Sequence, residues 1–426
     1  MYSCQKVFFR NNTPFFRSLS AQFDKVCNRI MSVQTDIIDQ DAQTLLNANK
    51  RPIADSHDEV EVDVKVQKTE ESTDVTQRVK RKNFVLMMGY LGRDYFGMQR
   101  NPGTKTIEED LILALFKSNL ITKDQFDDIR EVRFQRAART DRGVSAVRQI
   151  VSLRLPNHAN KDEINKYLPE EIRVFAVRRV TKGFNSKNQC DARTYRYVMP
   201  TFVLASESSN FLQVNEDDVV DPEKRLEELL MIDGKPYNEF RLTTNMLNKL
   251  NETLKLLEGT HNFHNFTSKI KPLDPRARRY IIYFRCVETF VANDIEFAVL
   301  EVKGQSFMLH QIRKMVALIV GISRNIITND MIKDVFSLDR FDIPIAPSLG
   351  LSLHHVHYTY YNERYGSDGI HETLAWEDCD EEIEQFYKDY ILKSIVDIES
   401  SEKTCLNWLA SFLTPQRFAC KDSSAS

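Results

Sequence analysis

Apolar positions in the middle of the chain follow two spacings, one typical of strands and one of helices. A short apolar run at residues 84–88, closely bounded by glycines, favours a buried strand. At residues 147–155 apolar and polar positions alternate, so one face of a strand packs on a core and the other carries arginine and serine. Thr106, with a glutamate three residues later, has the form of a capping box and predicts a helix start.

The same criteria predict the remaining elements of the domain. Further strands are expected at residues 132–136, 172–180, 193–199, 281–290, 295–302 and 350–358. Further helices are expected at residues 161–168, 226–231, 246–257, 309–322 and 331–336, and in the tail at 381–413. Strands and helices mixed in this way indicate the α+β fold class.

Composition divides the 426 residues into four regions. Residues 1–30 hold five basic residues and one acid among many Phe, Ser and Asn, a composition typical of a mitochondrial transit peptide and also of a disordered start. Residues 31–79 are acidic, contain no aromatic side chain from 34 to 78, and are expected to be a disordered linker. The folded body is expected at residues 80–365, followed by an acidic helical extension at residues 366–426.

Charge is distributed unevenly along the chain. The net charge is −3, yet residues 80–196 carry 24 Lys and Arg against 14 Asp and Glu, a net charge of +10. Residues 34–78 carry −6 and residues 367–426 carry −8. A basic body with acidic tails suits an RNA-binding surface, because phosphate contacts dominate non-specific affinity, although a solvated charged face has the same composition. The motif Lys80-Arg81-Lys82 has the form of a nuclear signal or of the polar end of a strand.

Nothing in the sequence calls for a cofactor, a metal or a membrane. The seven cysteines form no CxxC pair, which indicates a reducing compartment. His261 and His264 lie three residues apart but have no third ligand at a suitable spacing. No phosphate-binding loop is present, and no apolar segment is long enough to span a bilayer.

Candidate chemistry is concentrated at residues 136–146, where one acid stands among cations. Asp141 is followed closely by Gly143, which allows a tight turn. An aspartate held ionised beside cations and a polyanionic substrate is a candidate nucleophile or base. The arginines of this loop are Arg136, Arg139 and Arg142.

Two further segments carry side chains that suit a nucleic-acid site. In the strand at residues 193–199, alternation places Arg193, Tyr195 and Tyr197 on one face, and a tyrosine ring can stack on a nucleobase removed from its helix. Arg313 interrupts an apolar helical pattern, and a buried arginine needs an anionic partner. The alternatives are an ordinary aromatic strand and an arginine whose stem is buried while its head reaches water.

In this order, the motifs resemble those of the TruA-type tRNA pseudouridine synthases, in particular the eukaryotic pseudouridine synthase 1 branch. The resemblance covers residues 82–361 and includes a Gly-Tyr-Leu-Gly motif at residues 89–92 and an Ala-Pro-Ser-Leu-Gly-Leu turn at residues 346–351. It implies two related α+β subdomains that share a mainly antiparallel sheet, with a basic cleft between them and a boundary near residues 200–245.

The resemblance also implies roles for individual residues. Asp141 corresponds to the catalytic aspartate, Arg139 to the residue that helps displace the target base, and Tyr195 to the tyrosine that stacks on it. Arg313 corresponds to the arginine that pairs with the catalytic aspartate. The residues expected to contact RNA are Arg136, Arg139, Arg142, His264, Asn265 and Phe266.

The expected activity is therefore the isomerisation of specific uridines to pseudouridine in tRNA, in the anticodon stem region, with messenger or small nuclear RNA as further substrates. The expected enzyme is a monomer without a cofactor, located in mitochondria, the nucleus or both, with no DNA or membrane partner. A catalytically idle RNA-binding or tRNA-folding module is the alternative, which the intact Asp141, Tyr195 and Arg313 disfavour. A glycoside hydrolase would need a second acid near Asp141, where the loop has arginines.

Overall fold

The computed structural model describes residues 80–207, 221–268, 270–418 and 420–421. The expected transit peptide and acidic linker, residues 1–30 and 31–79, lie outside these ranges. The described residues belong to one compact unit, Gln77–Ser426, so the acidic extension packs with the body. None of the helices in these ranges has the length and apolarity that crossing a membrane requires.

Most of the strands in these ranges join one nine-stranded sheet in the order β4-β1-β3-β12-β5-β10-β9-β8, with β2 added to β3. In chain order the strands are β1 (Arg81–Tyr90), β2 (Gln135–Arg136), β3 (Ser145–Pro156), β4 (Ile172–Arg179), β5 (Ala192–Pro200), β6 (Met231–Ile232), β7 (Lys235–Pro236), β8 (Gly259–Asn262), β9 (Arg278–Ala292), β10 (Ile295–Gly304), β11 (Arg340–Phe341), β12 (Leu351–His357) and β13 (Cys420–Lys421).

Helices cover the sheet and connect its strands. In chain order they are α1 (Ile107–Lys117), α2 (Lys123–Asp127), α3 (Lys161–Asn165), α4 (Pro222–Leu229), α5 (Thr244–Lys255), α6 (Gln311–Ser323), α7 (Met331–Phe336), α8 (Thr359–Tyr365), α9 (Asp380–Phe386), α10 (Lys393–Glu402) and α11 (Thr404–Phe412). The longest of the described helices, α6, is buried along nearly its whole length, in agreement with its almost continuous apolar sequence.

Two halves of the sheet meet at a short parallel contact. The pairings within β4-β1-β3 and within β12-β5-β10-β9-β8 are antiparallel, whereas β3 and β12 run parallel where Ser145 faces Ser352 and Ala146 faces Leu353. Because β5 already pairs with β10 and β12, the chain enters the second half before residue 192. This crossing lies ahead of the expected boundary near residues 200–245.

The strand expected at residues 132–136 is only partly present. Ile129–Val132 is a 3₁₀ helix, Arg133 adopts the left-handed conformation with φ 56°, and only Gln135–Arg136 pairs with β3. The alternating pattern at these residues is short, and no residue type in the local sequence indicates the turn at Arg133 that interrupts it.

The tail expected as one helix at residues 381–413 is broken into segments. A π-helical turn, Tyr387–Leu392, separates α9 from α10, and Lys403 ends α10 in the left-handed conformation with φ 51°. The tail packs on the sheet, with the ring of Phe386 edge-on to Phe175 at 5.6 Å between centroids. A Cβ at Gly89 would lie about 3 Å from both rings, so this close packing needs a glycine.

The acidic extension also uses part of the positive charge of the body. Its side chains form ion pairs with basic side chains of the first half. These pairs are Asp380 with Arg148 at 3.0 Å, Glu382 with Lys161 at 2.7 Å, and Asp378 with Arg178. The excess of cations at residues 80–196 is thus partly neutralised by the chain itself.

Candidate active site

Asp141 lies at the junction of the two halves, in the loop that leads into β3. The parallel strands β3 and β12 start at the same edge of the sheet, so the loops that precede them meet there. Gly143 adopts a left-handed φ of 76°, and a Cβ on it would lie 2.8 Å from the Ser348 hydroxyl of the second loop. Glycine at this position therefore allows both the turn and the approach of the two halves.

The first half holds the Asp141 loop on both sides of the carboxylate. The Met98 N–H donates to the Thr140 carbonyl at 3.1 Å, and the Gly143 N–H donates to the Tyr95 carbonyl at 3.2 Å. The Thr140 hydroxyl is also hydrogen-bonded to the buried Tyr90 hydroxyl at 2.7 Å. A loop fixed in this way presents a side chain in one position, as a catalytic group requires.

Arg193, on β5, joins the Asp141 loop to the segment that leads into α6. Its Nε and Nη2 donate to the Ala137 carbonyl at 3.0 and 2.6 Å, and its Nη1 donates to the Gln305 carbonyl at 2.9 Å. Sequence reasoning placed Arg193 on the correct strand but not among the site residues. Only the strand order shows that one guanidinium reaches both segments.

The carboxylate of Asp141 is partly buried. Burial raises its pKa above the usual aspartate value, while the charge of Arg313 and the backbone N–H of His310 act in the opposite direction. His310 itself has φ 60°, an uncommon conformation for a residue with a side chain, immediately before α6. The sequence-based expectation that nearby cations hold Asp141 ionised is thus only partly met, because burial has the larger effect.

Arg313 lies near Asp141, in the first turn of α6. Its Nε donates to the Ala346 carbonyl at 2.5 Å, and its positive charge attracts the Asp141 carboxylate. Asp141 and Arg313, both in the described ranges, attract each other electrostatically but form no direct ion pair. Arg313 therefore keeps a cation close to the carboxylate.

Tyr195 is 7% exposed, and its ring packs edge-on to Phe307 at 5.2 Å between centroids. Burial raises the pKa of its hydroxyl, with the charge of Asp141 adding to the effect. The hydroxyls of Tyr90, Tyr95 and Tyr197 all bond to protein groups, whereas that of Tyr195 bonds to no other residue that the structure describes. A substrate is therefore a suitable partner for it.

Two loop arginines lie at the surface of the site. Arg139 is exposed, two residues from the carboxylate. The guanidinium of Arg142 lies over the ring of Phe96 at 4.2 Å from its centroid. Both belong to the same loop as Asp141.

Arg136 has a structural partner instead. Its Nη2 donates at 2.7 Å to Glu108, a buried carboxylate at the start of α1, and its guanidinium lies over the ring of Phe134. Because removing one member of such a pair would leave a buried charge, we assign Arg136 to the fold and not to the RNA surface.

The three residues expected on an RNA-facing loop are buried. His264, Asn265 and Phe266 are 0%, 2% and 0% exposed. His264 and Asn265 both bond to the Asp339 carbonyl, and the Asn265 side chain also bonds to Val335 and Phe341. We therefore correct this expectation: the Asn265 amide and the His264 ring nitrogen form hydrogen bonds with buried backbone groups of the core.

The nearby His261 likewise serves the fold, because its ring stacks on Phe336 at 4.2 Å and bonds to the Glu258 carbonyl. In the described ranges no three His, Cys, Asp or Glu side chains are grouped to hold a metal ion.

Similar proteins identify the class to which this fold and site belong. Residues 254–359 match the family described as "tRNA pseudouridine synthase". The chain is 42% identical to the "Pseudouridylate synthase 1 homolog" of Mus musculus, over 83% of this chain and 78% of that protein. The Homo sapiens "Pseudouridylate synthase 1 homolog" is 43% identical over 76% and 72%, and the Yarrowia lipolytica "tRNA pseudouridine synthase 1" is 31% identical over 77% and 73%.

This chain belongs to the tRNA pseudouridine synthase family. Its class is accordingly that of an isomerase, an RNA pseudouridine synthase. The family expected from the sequence motifs is confirmed, as is the α+β fold with a large, mainly antiparallel sheet.

Proposed function

We propose that this protein isomerises specific uridines of tRNA to pseudouridine, with Asp141 as the catalytic group. The observation that carries the proposal is the position of one partly buried carboxylate at the junction of the two halves, close to Tyr195 and Arg313. The names of the relatives from mouse, human and yeast agree with this reaction.

The reaction exchanges one bond to the ribose for another. The N1–C1′ bond of uridine breaks, the uracil rotates, and a C5–C1′ bond forms. The hydrogen on C5 leaves as a proton and N1 gains one, so no redox partner is needed. Asp141 begins the exchange either by attacking C1′ or by removing the 2′ proton to give a glycal, and both routes need an ionised carboxylate.

The surrounding residues supply position and charge. Tyr195 stacks on the extruded uracil and offers its hydroxyl for proton transfer, since that hydroxyl bonds to none of the residues in the described ranges. Arg313 keeps a positive charge near the Asp141 carboxylate. Exposed Arg139 helps to extrude the nucleotide, and Arg142 contacts the RNA beside it.

The substrate is tRNA, and we place the target uridines in the anticodon stem region, with messenger and small nuclear RNA as additional substrates. The test is pseudouridine mapping on a set of unmodified tRNA, messenger and small nuclear RNA transcripts, incubated with wild type or with Asp141→Ala. We expect new pseudouridine in anticodon stems with wild type alone. Tight RNA binding by both proteins and no product from either would favour the idle RNA-binding module.

We also propose a monomer that works in mitochondria, the nucleus or both. The mass of the free protein and of its tRNA complex in solution tests the first point, and a twofold mass would overturn it. Fusion of residues 1–30 or 80–82 to a reporter tests the second, and a reporter that enters neither compartment would overturn it.

A further inference from the structure

Phe96 is an exposed aromatic ring beside the Asp141 loop. It is 45% exposed, the only phenylalanine so open in the described part of the chain. Its neighbours Tyr95 and Met98 are 2% and 0% exposed, so the turn that carries Phe96 is anchored on both sides while the ring itself points outward.

The backbone that carries the ring is fixed relative to the Asp141 loop. The segment that carries it donates and accepts the two backbone hydrogen bonds that bracket Asp141, from Met98 to Thr140 and from Gly143 to Tyr95. A Cβ on Gly97 would lie 2.8 Å from the Thr140 carbonyl and 3.3 Å from the carbonyl carbon of Asp141. Phe96 is therefore one residue away from direct contact with the catalytic loop.

A cation completes this surface. The guanidinium of Arg142 lies over the Phe96 ring at 4.2 Å, so an aromatic ring and a planar cation stand together directly beside Asp141. Proteins use this combination for unstacked nucleobases, because every base offers a π-face to an aromatic or guanidinium plane.

We propose that Phe96 and Arg142 form a stacking platform for the nucleobase next to the target uridine. This inference rests on the proposed function, which places an extruded uridine at Asp141. Extrusion removes the stacking partner of the neighbouring base, and the platform replaces that partner. Because stacking has little dependence on base identity, the platform positions the RNA without reading its sequence.

The test combines protein and RNA changes on a tRNA transcript with a mapped target uridine. The proteins are wild type, Phe96→Ala, Phe96→Trp and, as a matched control, Tyr167→Ala, which removes an aromatic ring of 44% exposure. The RNAs carry the natural base, an exchanged base or an abasic residue at either neighbour of the target. The readouts are kcat/KM for pseudouridine formation and the Tm of each protein.

We expect Phe96→Ala to lower kcat/KM roughly ten- to hundredfold with an unchanged Tm, and Phe96→Trp and Tyr167→Ala to remain within about threefold of wild type. An abasic residue at one neighbour should slow wild type as much and cause no further loss in Phe96→Ala, whereas exchanged bases should have little effect. Full activity of Phe96→Ala would contradict the stacking platform and leave the proposed function intact. The same conclusion would follow if the losses from Phe96→Ala and from an abasic residue multiplied at both neighbours. No pseudouridine from wild type on any transcript would overturn the proposed function, and the platform with it.

Discussion

Asp141 carries its charge where burial disfavours a charge, and this sets its behaviour with pH. Its pKa is raised by burial in spite of Arg313 and the N–H of His310. A carboxyl whose pKa rises on folding binds its proton more tightly in the folded state, so its stabilising contribution is present below the unfolded pKa and is lost as pH rises through the folded pKa. At neutral pH the ionised side chain therefore lowers stability for the sake of reactivity.

Asp141→Asn should test this cost directly. The amide has nearly the shape of the carboxyl but no charge, so we expect its Tm at pH 7 to equal or exceed that of wild type. The difference should shrink as pH falls from the raised folded-state pKa toward about 4, the ordinary aspartate pKa, because wild type takes up its proton over that interval. Thermal unfolding at several pH values provides the measurement, and a Tm several degrees lower at pH 7 would contradict the assignment.

Tyr195 should contribute through both its ring and its hydroxyl. Tyr195→Phe keeps the packing against Phe307 and removes only the hydroxyl. We expect kcat to fall about a hundredfold or more, in the range of general acid–base effects, with little change in RNA affinity. Tyr195→Leu should lose roughly tenfold more in kcat/KM because stacking is lost as well. Single-turnover rates measure both, and full kcat in Tyr195→Phe would limit the residue to stacking.

Single residues were predictable from sequence where their surroundings are local. Asp141 was found because three arginines and a glycine accompany it within a few positions. The importance of Arg193 and Phe96 depends on partners 46 to 112 residues away, which one sequence does not display. Asn265 was misassigned because an amide side chain can hydrogen-bond equally well to RNA and to buried backbone groups.

At the level of elements, the site depends on segments from both halves that one strand holds together. β5 carries Tyr195 toward the site and Arg193 across to the Asp141 loop and to the segment before α6. Most strands and helices followed their hydrophobic period. The segment at 132–136 did not, because a left-handed residue at Arg133 interrupts it, and no side-chain pattern signals that conformation.

Arg193→Lys should separate positioning from binding. Lysine keeps the charge but cannot reproduce a fork that reaches two carbonyls, so we expect kcat to fall about tenfold or more as the loop shifts. The RNA Kd should stay within about twofold, because the donors of Arg193 face protein carbonyls. The matched control is Arg196→Lys, three residues further along β5 on the opposite face and paired with Glu301, which should retain its kcat. Equal effects of the two variants on kcat would contradict the role of Arg193 in positioning the Asp141 loop.

At the level of the whole molecule, the chain shields part of its own positive charge. The acidic extension covers basic side chains of β3, α3 and β4, so the cation excess counted in the sequence overstates what RNA meets. Sequence predicted the helical content and charge of this extension but not its contacts, because ion pairs between residues more than 200 positions apart follow from tertiary packing.

Neutralising two of these acids should increase non-specific RNA binding. Asp380→Asn with Glu382→Gln frees Arg148 and Lys161, and each freed cation that meets a phosphate adds about 0.7 to the slope of log affinity against log salt for single strands. We expect tighter, more salt-dependent binding of unstructured RNA with unchanged kcat on tRNA. Glu381→Gln with Asp389→Asn changes the net charge equally without freeing these cations, and an identical shift in that control would contradict the shielding.

The central claim is that one carboxylate at the junction of the two halves drives the isomerisation. The most direct measurement is the release of tritium from C5 of labelled uridine in tRNA by wild type and by Asp141→Asn, together with the RNA Kd of each protein. We predict tritium release equal to the pseudouridine formed by wild type, no release above background by Asp141→Asn, and similar Kd values. Release by Asp141→Asn at a rate within about tenfold of wild type would contradict the account.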